Sequence, residues 1–125
     1  MRLWGIRGAI TVEADTKSAL AEAVSLLVGE IMLRNSLQPE DIVSAIFTTT
    51  PDLKCGFPAT FARQEAGWSS VPMLCMHELA PEGSLPMCLR VLVHAYLPAQ
   101  PKHVYLRGAK ALRPDLVGRE KEDES

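Results

Sequence analysis

Four residues of this chain pair reactive chemistry with positions where the side chain must find a partner: Arg7, Glu78, Arg90 and Tyr105. Alternating apolar character sets Arg7, Arg90 and Tyr105 on the less apolar sides of three predicted strands. A guanidinium among small or apolar neighbours costs free energy unless an anion or a hydrogen-bonding group meets it. Two kinds of partner satisfy that demand: a salt bridge between subunits to a residue such as Glu78, or a bound anionic ligand. Glu78 follows a strand, where it suits acid–base work, pairing with an arginine, or the role of an ordinary loop carboxylate. Its parity differs from that of Cys75, so both reach one pocket only if the strand bends between them.

More familiar catalytic signatures are missing. The chain has no G-x-S-x-G elbow, no P-loop and no dinucleotide fingerprint. Cys75-Met76-His77 lacks zinc-ligand spacing, so no metal site is expected, and burial is the better reading of Cys75 and Cys88. His94 and His103 read as strand residues at a sheet face or edge. Three cysteines with no CxxC pair point to reduced thiols and a cytoplasmic protein.

The elements that must position these residues follow from periodicity. Leu3 to Val12 reads as a strand with Trp4, Ile6, Gly8, Ile10 and Val12 on its core face. Gly5 and Gly8 weaken it and mark a close approach of ligand or backbone. Asp15 and Thr16 are both candidate N-caps for a helix reaching about Arg34, whose apolar stripe is Leu20, Ala23, Val24, Leu27, Val28 and Ile31. Ile42 to Thr48 is β-branched and predicts a strand buried on both faces. Pro58 suits the first position of a shorter helix and Gly67 its C′ position. Strands are expected over Val71–His77, Met87–Leu97 and His103–Arg107, with a turn at Pro81-Glu82-Gly83-Ser84.

This β-α-β-α-β-β-β order predicts a single α/β (α+β) domain with one five-stranded mixed sheet. Two helices cover one sheet face. The other face carries arginines, small residues and scattered apolar groups, a mixture suited to packing against further subunits.

Composition sets the outer bounds. At 125 residues, with 47% hydrophobic and 22% charged residues, the chain matches one soluble globular domain. No apolar run spans a bilayer, and Met1-Arg2-Leu3-Trp4-Gly5-Ile6-Arg7-Gly8 lacks a signal-peptide h-region. The formal charge is −2, and no basic surplus points to nucleic acid or a membrane surface. Acidic residues crowd the charged 117–125 tail, which is expected to be disordered, leaving 1–116 as the folded domain.

Several blocks, in order, carry a resemblance. Gly5-Ile6-Arg7-Gly8-Ala9, Thr11-Val12-Glu13, Thr50-Pro51-Asp52-Leu53, Phe57-Pro58-Ala59, Gly67-Trp68 and Val71-Pro72 are the first of them. Cys75-Met76, Leu89-Arg90-Val91, His103-Val104-Tyr105-Leu106 and Leu112-Arg113-Pro114-Asp115-Leu116 follow. Together they resemble the monofunctional chorismate mutases of the trimeric α/β-barrel class, from Arg2 to Leu116. The resemblance implies a homotrimeric pseudo-barrel with its sites at subunit interfaces, and conversion of chorismate to prephenate on the way to phenylalanine and tyrosine. That reaction is an intramolecular Claisen rearrangement, in which an ether C–O bond breaks as a C–C bond forms. It needs no nucleophile, proton transfer, metal or cofactor. The protein must hold a flexible dianion in its reactive shape and stabilise charge on the ether oxygen.

The same resemblance implies residue roles. Arg90 would face the ether oxygen, Arg7 a substrate carboxylate with help from the Tyr105 hydroxyl, and Glu78 the ring hydroxyl near the segment of Leu74 and Cys75. Phe57, Ala59 and Arg63 would come from the neighbouring subunit, and Leu112 and Arg113 would close over the substrate. Thr60 departs from the family, which commonly has lysine there, and Leu74 stands where threonine is frequent. Arg7, Arg63, Arg90 and Arg113 around Glu78 would make a cationic pocket in a near-neutral chain. The alternative from another class is a non-catalytic trimeric module that binds a small carboxylate at the same interfaces.

Overall fold

The computed structural model describes residues 1–112; the expectations for Arg113 and for the 117–125 tail lie outside the described residues. Its strands are β1 (Arg2–Thr11), β2 (Ile42–Thr49), β3 (Met73–His77), β4 (Cys88–Leu97) and β5 (Val104–Leu106). Its α-helices are α1 (Lys17–Arg34) and α2 (Pro58–Glu65), with 3-10 turns at Pro39–Asp41 and Arg107–Leu112. One mixed sheet has the strand order β3-β2-β4-β1-β5. The three central strands pair antiparallel, and the short edges β3 and β5 add parallel to β2 and β1.

Both helices lie on one face of the sheet. Ile6, Ile10, Phe47, Val91, Val93 and Val104 meet Leu20, Val24, Leu27, Val28 and Ile31 of α1 in a single buried cluster, which Ala59 and Ala62 of α2 complete. Gly8 shows why α1 lies so close. A Cβ there would stand 2.7 Å from Ile31 Cδ1 and 3.0 Å from Leu27 Cδ1. The groups that crowd Gly8 are thus side chains of α1 and β4, where a ligand or backbone was expected. Under α2, fully buried Trp68 packs beside Phe47 and donates its indole N–H to Met32 Sδ.

Local chemistry sets the boundaries. Thr16 is the N-cap of α1, its hydroxyl accepting the Ala19 N–H, while Asp15 turns away to another loop. Gly67, at φ +75°, stops α2 as its position after the helix requires. β4 starts at Cys88 rather than Met87, because Met87 sits in the left-handed region at φ 50°. Arg107, at φ 54°, ends β5 in the same way and starts a 3-10 turn that alternation does not reveal.

The expectation of a doubly buried β2 needs correction within the chain. A register shift between Ile42 and Ser44 leaves Val43 exposed, and beyond it Ser44, Ile46 and Thr48 are only half-covered while Ala45, Phe47 and Thr49 are buried. Its β-branched run therefore has one face in the core and one on the open side of the sheet. No helix among the described residues is long and apolar enough to cross a membrane.

Candidate active site

The open face holds two cross-strand rows. Tyr105, Ala9, Arg90, Thr48 and Met76 align in one, and Arg7, Leu92, Ile46 and Leu74 in the other. Across them from β5 to β2 lies a cavity of about 390 Å³ lined by Arg7, Thr48, Glu78, Arg90, Tyr105 and Leu112, among others. The four residues first singled out for their chemistry thus share one concavity.

Each is held by a different device. Glu78 stands just past β3, where its N–H donates to Thr49 O at 2.8 Å. Its Oε1 accepts the Thr48 hydroxyl at 3.0 Å and lies 3.3 Å from Arg90 Nε. Arg90 Nε is buried and has no aligned hydrogen bond, so this contact is an ion pair by proximity rather than a fitted fork. The salt bridge open to Arg90 on sequence grounds is therefore made within one chain, and it leaves the guanidinium incompletely matched. Arg7 is exposed, and its backbone N–H donates to His103 Nδ1 at 2.9 Å, which requires a nitrogen without a proton at that position.

Tyr105 packs in a small separate cluster with Ala9, Cys88 and Ala109, and Leu112 covers it from the last 3-10 turn. Burial raises the pKa of the Cys88 thiol, while the neighbouring Arg90 charge pulls it down in part. That turn is anchored at its root. Gly108 N–H donates to Thr11 Oγ1, and Arg107 reaches both Thr11 O and Glu22.

The other expected site residues lie apart. Cys75 faces the helix side, and with Phe57, Lys54, Met76 and His77 it lines a second cavity of about 250 Å³. Phe57 is 70% exposed ahead of α2, Ala59 is buried in the core and Arg63 is exposed on α2. Leu74 stands on the open face, 63% exposed, in the row of Arg7. One chain therefore brings Arg7, Glu78, Arg90, Tyr105 and Leu112 together. It does not bring Phe57, Ala59, Arg63 or Cys75 to them. Sequence reasoning passed over Thr48 and the acceptor role of His103. A threonine facing the same side as Arg90 was the available signal for the first.

A concave patch with two arginines, one carboxylate and a buried tyrosine, on the sheet face that the described helices leave open, narrows the choice of families. The family model described as chorismate mutase type I matches residues 3–116. The chain belongs to the chorismate mutase type I family. A protein named chorismate mutase AroH from Bacillus subtilis (strain 168) is 42% identical over 119 residues, spanning 93% of this chain and 94% of its own length. Another of that name from Thermus thermophilus is 46% identical over 116 residues, spanning 90% and 94%. The solved structure of a chorismate mutase from Clostridium thermocellum superposes with a TM-score of 0.83 at 42% identity, covering 86% of this chain and 98% of that one. The chorismate mutase type I fold therefore accounts for the sheet, both helices and the open face.

Proposed function

We infer that this chain is a chorismate mutase, an isomerase that rearranges chorismate to prephenate, and we propose that the cavity beneath Arg7 and Arg90 is where it does so. The observation that carries the site is the pairing of two arginines with a single carboxylate in one concavity. A dianion supplies the charge that Glu78 alone does not. In this reading Arg7 takes a carboxylate with the Tyr105 hydroxyl beside it, Glu78 accepts the ring hydroxyl, and Leu112 covers the pocket, with Arg113 following it. The incompletely matched Arg90 guanidinium faces the ether oxygen, where negative charge grows as the C–O bond stretches. A cation already fixed there stabilises the transition state more than the substrate.

The chemistry asks for little else. Electrons move within one molecule, so the protein contributes conformation, dryness and a placed charge rather than a nucleophile or a proton carrier. Phe57, Ala59 and Arg63 belong to the proposed site as the contribution of a neighbouring subunit in a homotrimer; the Leu74–Cys75 segment, expected near Glu78, does not line the cavity within one chain and is assigned to the neighbour's contribution with them. Two features support that arrangement: none of these residues lines the Arg7–Arg90 cavity within one chain, and the open face exposes Leu3, Leu74, Met76 and Tyr96. Three free thiols suit a cytoplasmic setting.

The test is the loss of chorismate absorbance with prephenate as product. The unsubstituted protein turns over, and Arg90→Ala lowers kcat by about 10²–10³ or more while leaving the fold intact. Binding of chorismate without turnover would favour the small-carboxylate-binding module instead. Wild-type turnover in Arg90→Ala would remove Arg90 from the mechanism.

A further inference from the structure

The residue just ahead of β4, three before Arg90, is fastened in a way that the cavity's lining does not explain. Met87 adopts φ 50°, a conformation that costs an L-residue free energy and persists only where its surroundings offset that cost. Its C=O accepts the Val12 N–H at 2.7 Å, and its N–H donates to Asp52 Oδ2 at 3.0 Å. The other carboxylate oxygen of Asp52 accepts the Thr50 hydroxyl. Thr50 Oγ1 in turn accepts the Cys88 N–H at 3.0 Å, and the Thr50 N–H donates to Cys88 O at 3.1 Å. The proton order is fixed throughout. Because Thr50 Oγ1 accepts from Cys88, its one hydrogen must go to Asp52, and both oxygens of Asp52 must accept.

We propose that Asp52 and Thr50 are positioning residues for the rearrangement, a two-residue clamp that sets where Arg90 and Tyr105 stand. The proposal rests on the reading of the Arg90 cavity given above. It follows from what the clamp touches. Cys88, held at both its N–H and its C=O, is two residues before Arg90 on the same strand face, and its side chain is a fully buried neighbour of Tyr105 and Ala9. The same end of β2 also holds Glu78, through the Thr49 C=O and the Thr48 hydroxyl. Residues 48–52 therefore locate the carboxylate on one side and the guanidinium on the other. Relaxing Met87 toward an ordinary φ would swing the first residues of β4. Arg90 would move relative to Glu78, and the packing under Tyr105 would loosen.

An amide cannot replace the carboxylate. In Asp52→Asn the NH2 group must face either the Met87 N–H or the Thr50 hydroxyl, whose hydrogen then has no acceptor. We expect Asp52→Asn and Thr50→Val each to lower kcat for chorismate loss by roughly ten- to a hundredfold with KM little changed, the size of effect that a small misplacement of a catalytic group produces. Thr50→Ser keeps the hydroxyl and restores kcat close to the unsubstituted value. In an Arg90→Lys background, where Arg90's contribution is already lost, the effect of Asp52→Asn shrinks to the part that passes through Tyr105.

Full kcat in Asp52→Asn, or an effect that persists undiminished beside Arg90→Lys, overturns the clamp. So does a variant whose only change is a lower melting temperature, since that is the signature of a loop tie with no bearing on the site. Wild-type kcat in Arg90→Lys itself would instead overturn the role given to Arg90. If Asp52→Asn yields no folded protein, the Thr50→Val and Thr50→Ser pair decides the matter by the same readouts.

Discussion

Arg90 meets Glu78 through Nε at 3.3 Å without an aligned hydrogen bond, and its side chain remains 38% exposed toward the cavity. A lysine there would still neutralise Glu78, since an ammonium needs only proximity. It could not present a second nitrogen at a fixed angle to another acceptor, because its charge sits at one point on a flexible stem. Arg90→Lys is therefore expected to lose about a hundredfold or more in kcat, with KM affected less, when chorismate disappearance is followed at matched protein concentration. A lysine variant with unchanged kcat would mean that charge alone suffices. At this scale much of the cavity was legible in the sequence. A period of two residues puts Arg7, Arg90 and Tyr105 on one face, and the same parity separates Glu78 from Cys75. Thr48, the Thr50–Asp52 pair and His103 were not legible as partners. Their hydrogen bonds join segments 30 to 96 residues apart, and cross-strand register, which alternation leaves open, decides who meets whom.

Between elements, the loop from β1 to α1 shows how two similar residues divide their work. Thr16 caps the helix, whereas Asp15 Oδ1 accepts the N–H groups of Lys54 at 2.8 Å and Cys55 at 2.9 Å. These bonds, the one from Lys54 foremost, hold the Asp15 carboxyl below the ordinary aspartate range. A depressed folded-state pKa stabilises the protein above the unfolded value and stops doing so as pH falls through the folded one. Asp15→Ala should thus lower the melting temperature modestly at neutral pH. The gap to the unsubstituted protein should close as the solution is acidified below the usual aspartate pKa. A gap independent of pH in thermal scans would show that the charge of Asp15 is not what ties down residues 54–55. Sequence patterns made both residues candidate caps because either oxygen can accept an N2 or N3 donor. The choice depended on a loop 39 residues away. The unforeseen 3-10 turns have a local cause: one is short and the other begins at a residue with positive φ, so neither leaves a periodic trace.

Across the whole molecule, the described residues cover one sheet face well and leave the other open. Leu3 and Tyr96 stand directly opposite each other on that open face, 47% and 50% exposed, and Leu74 and Met76 extend the apolar surface toward the β3 edge. Apolar groups spread over a whole sheet face are costly in water and favourable between subunits. The proposed trimer covers them and also delivers Phe57, Arg63 and Cys75 to a neighbour's Arg90, so assembly and activity should fail together. Leu3→Glu with Tyr96→Glu tests that link without touching the cavity lining. Two like charges facing each other across β1 and β4 remain solvated in the separate chain, and become costly once the face is covered. The double variant should keep its helical circular dichroism and elute with light-scattering mass near the 13.7 kDa of one chain, rather than about three times that. Its turnover should be largely lost and should rise with protein concentration as chains are driven back together. Full turnover in a species proven to be a single chain would instead require the Arg7–Arg90 cavity to work alone, with no part for Phe57, Arg63 or Cys75.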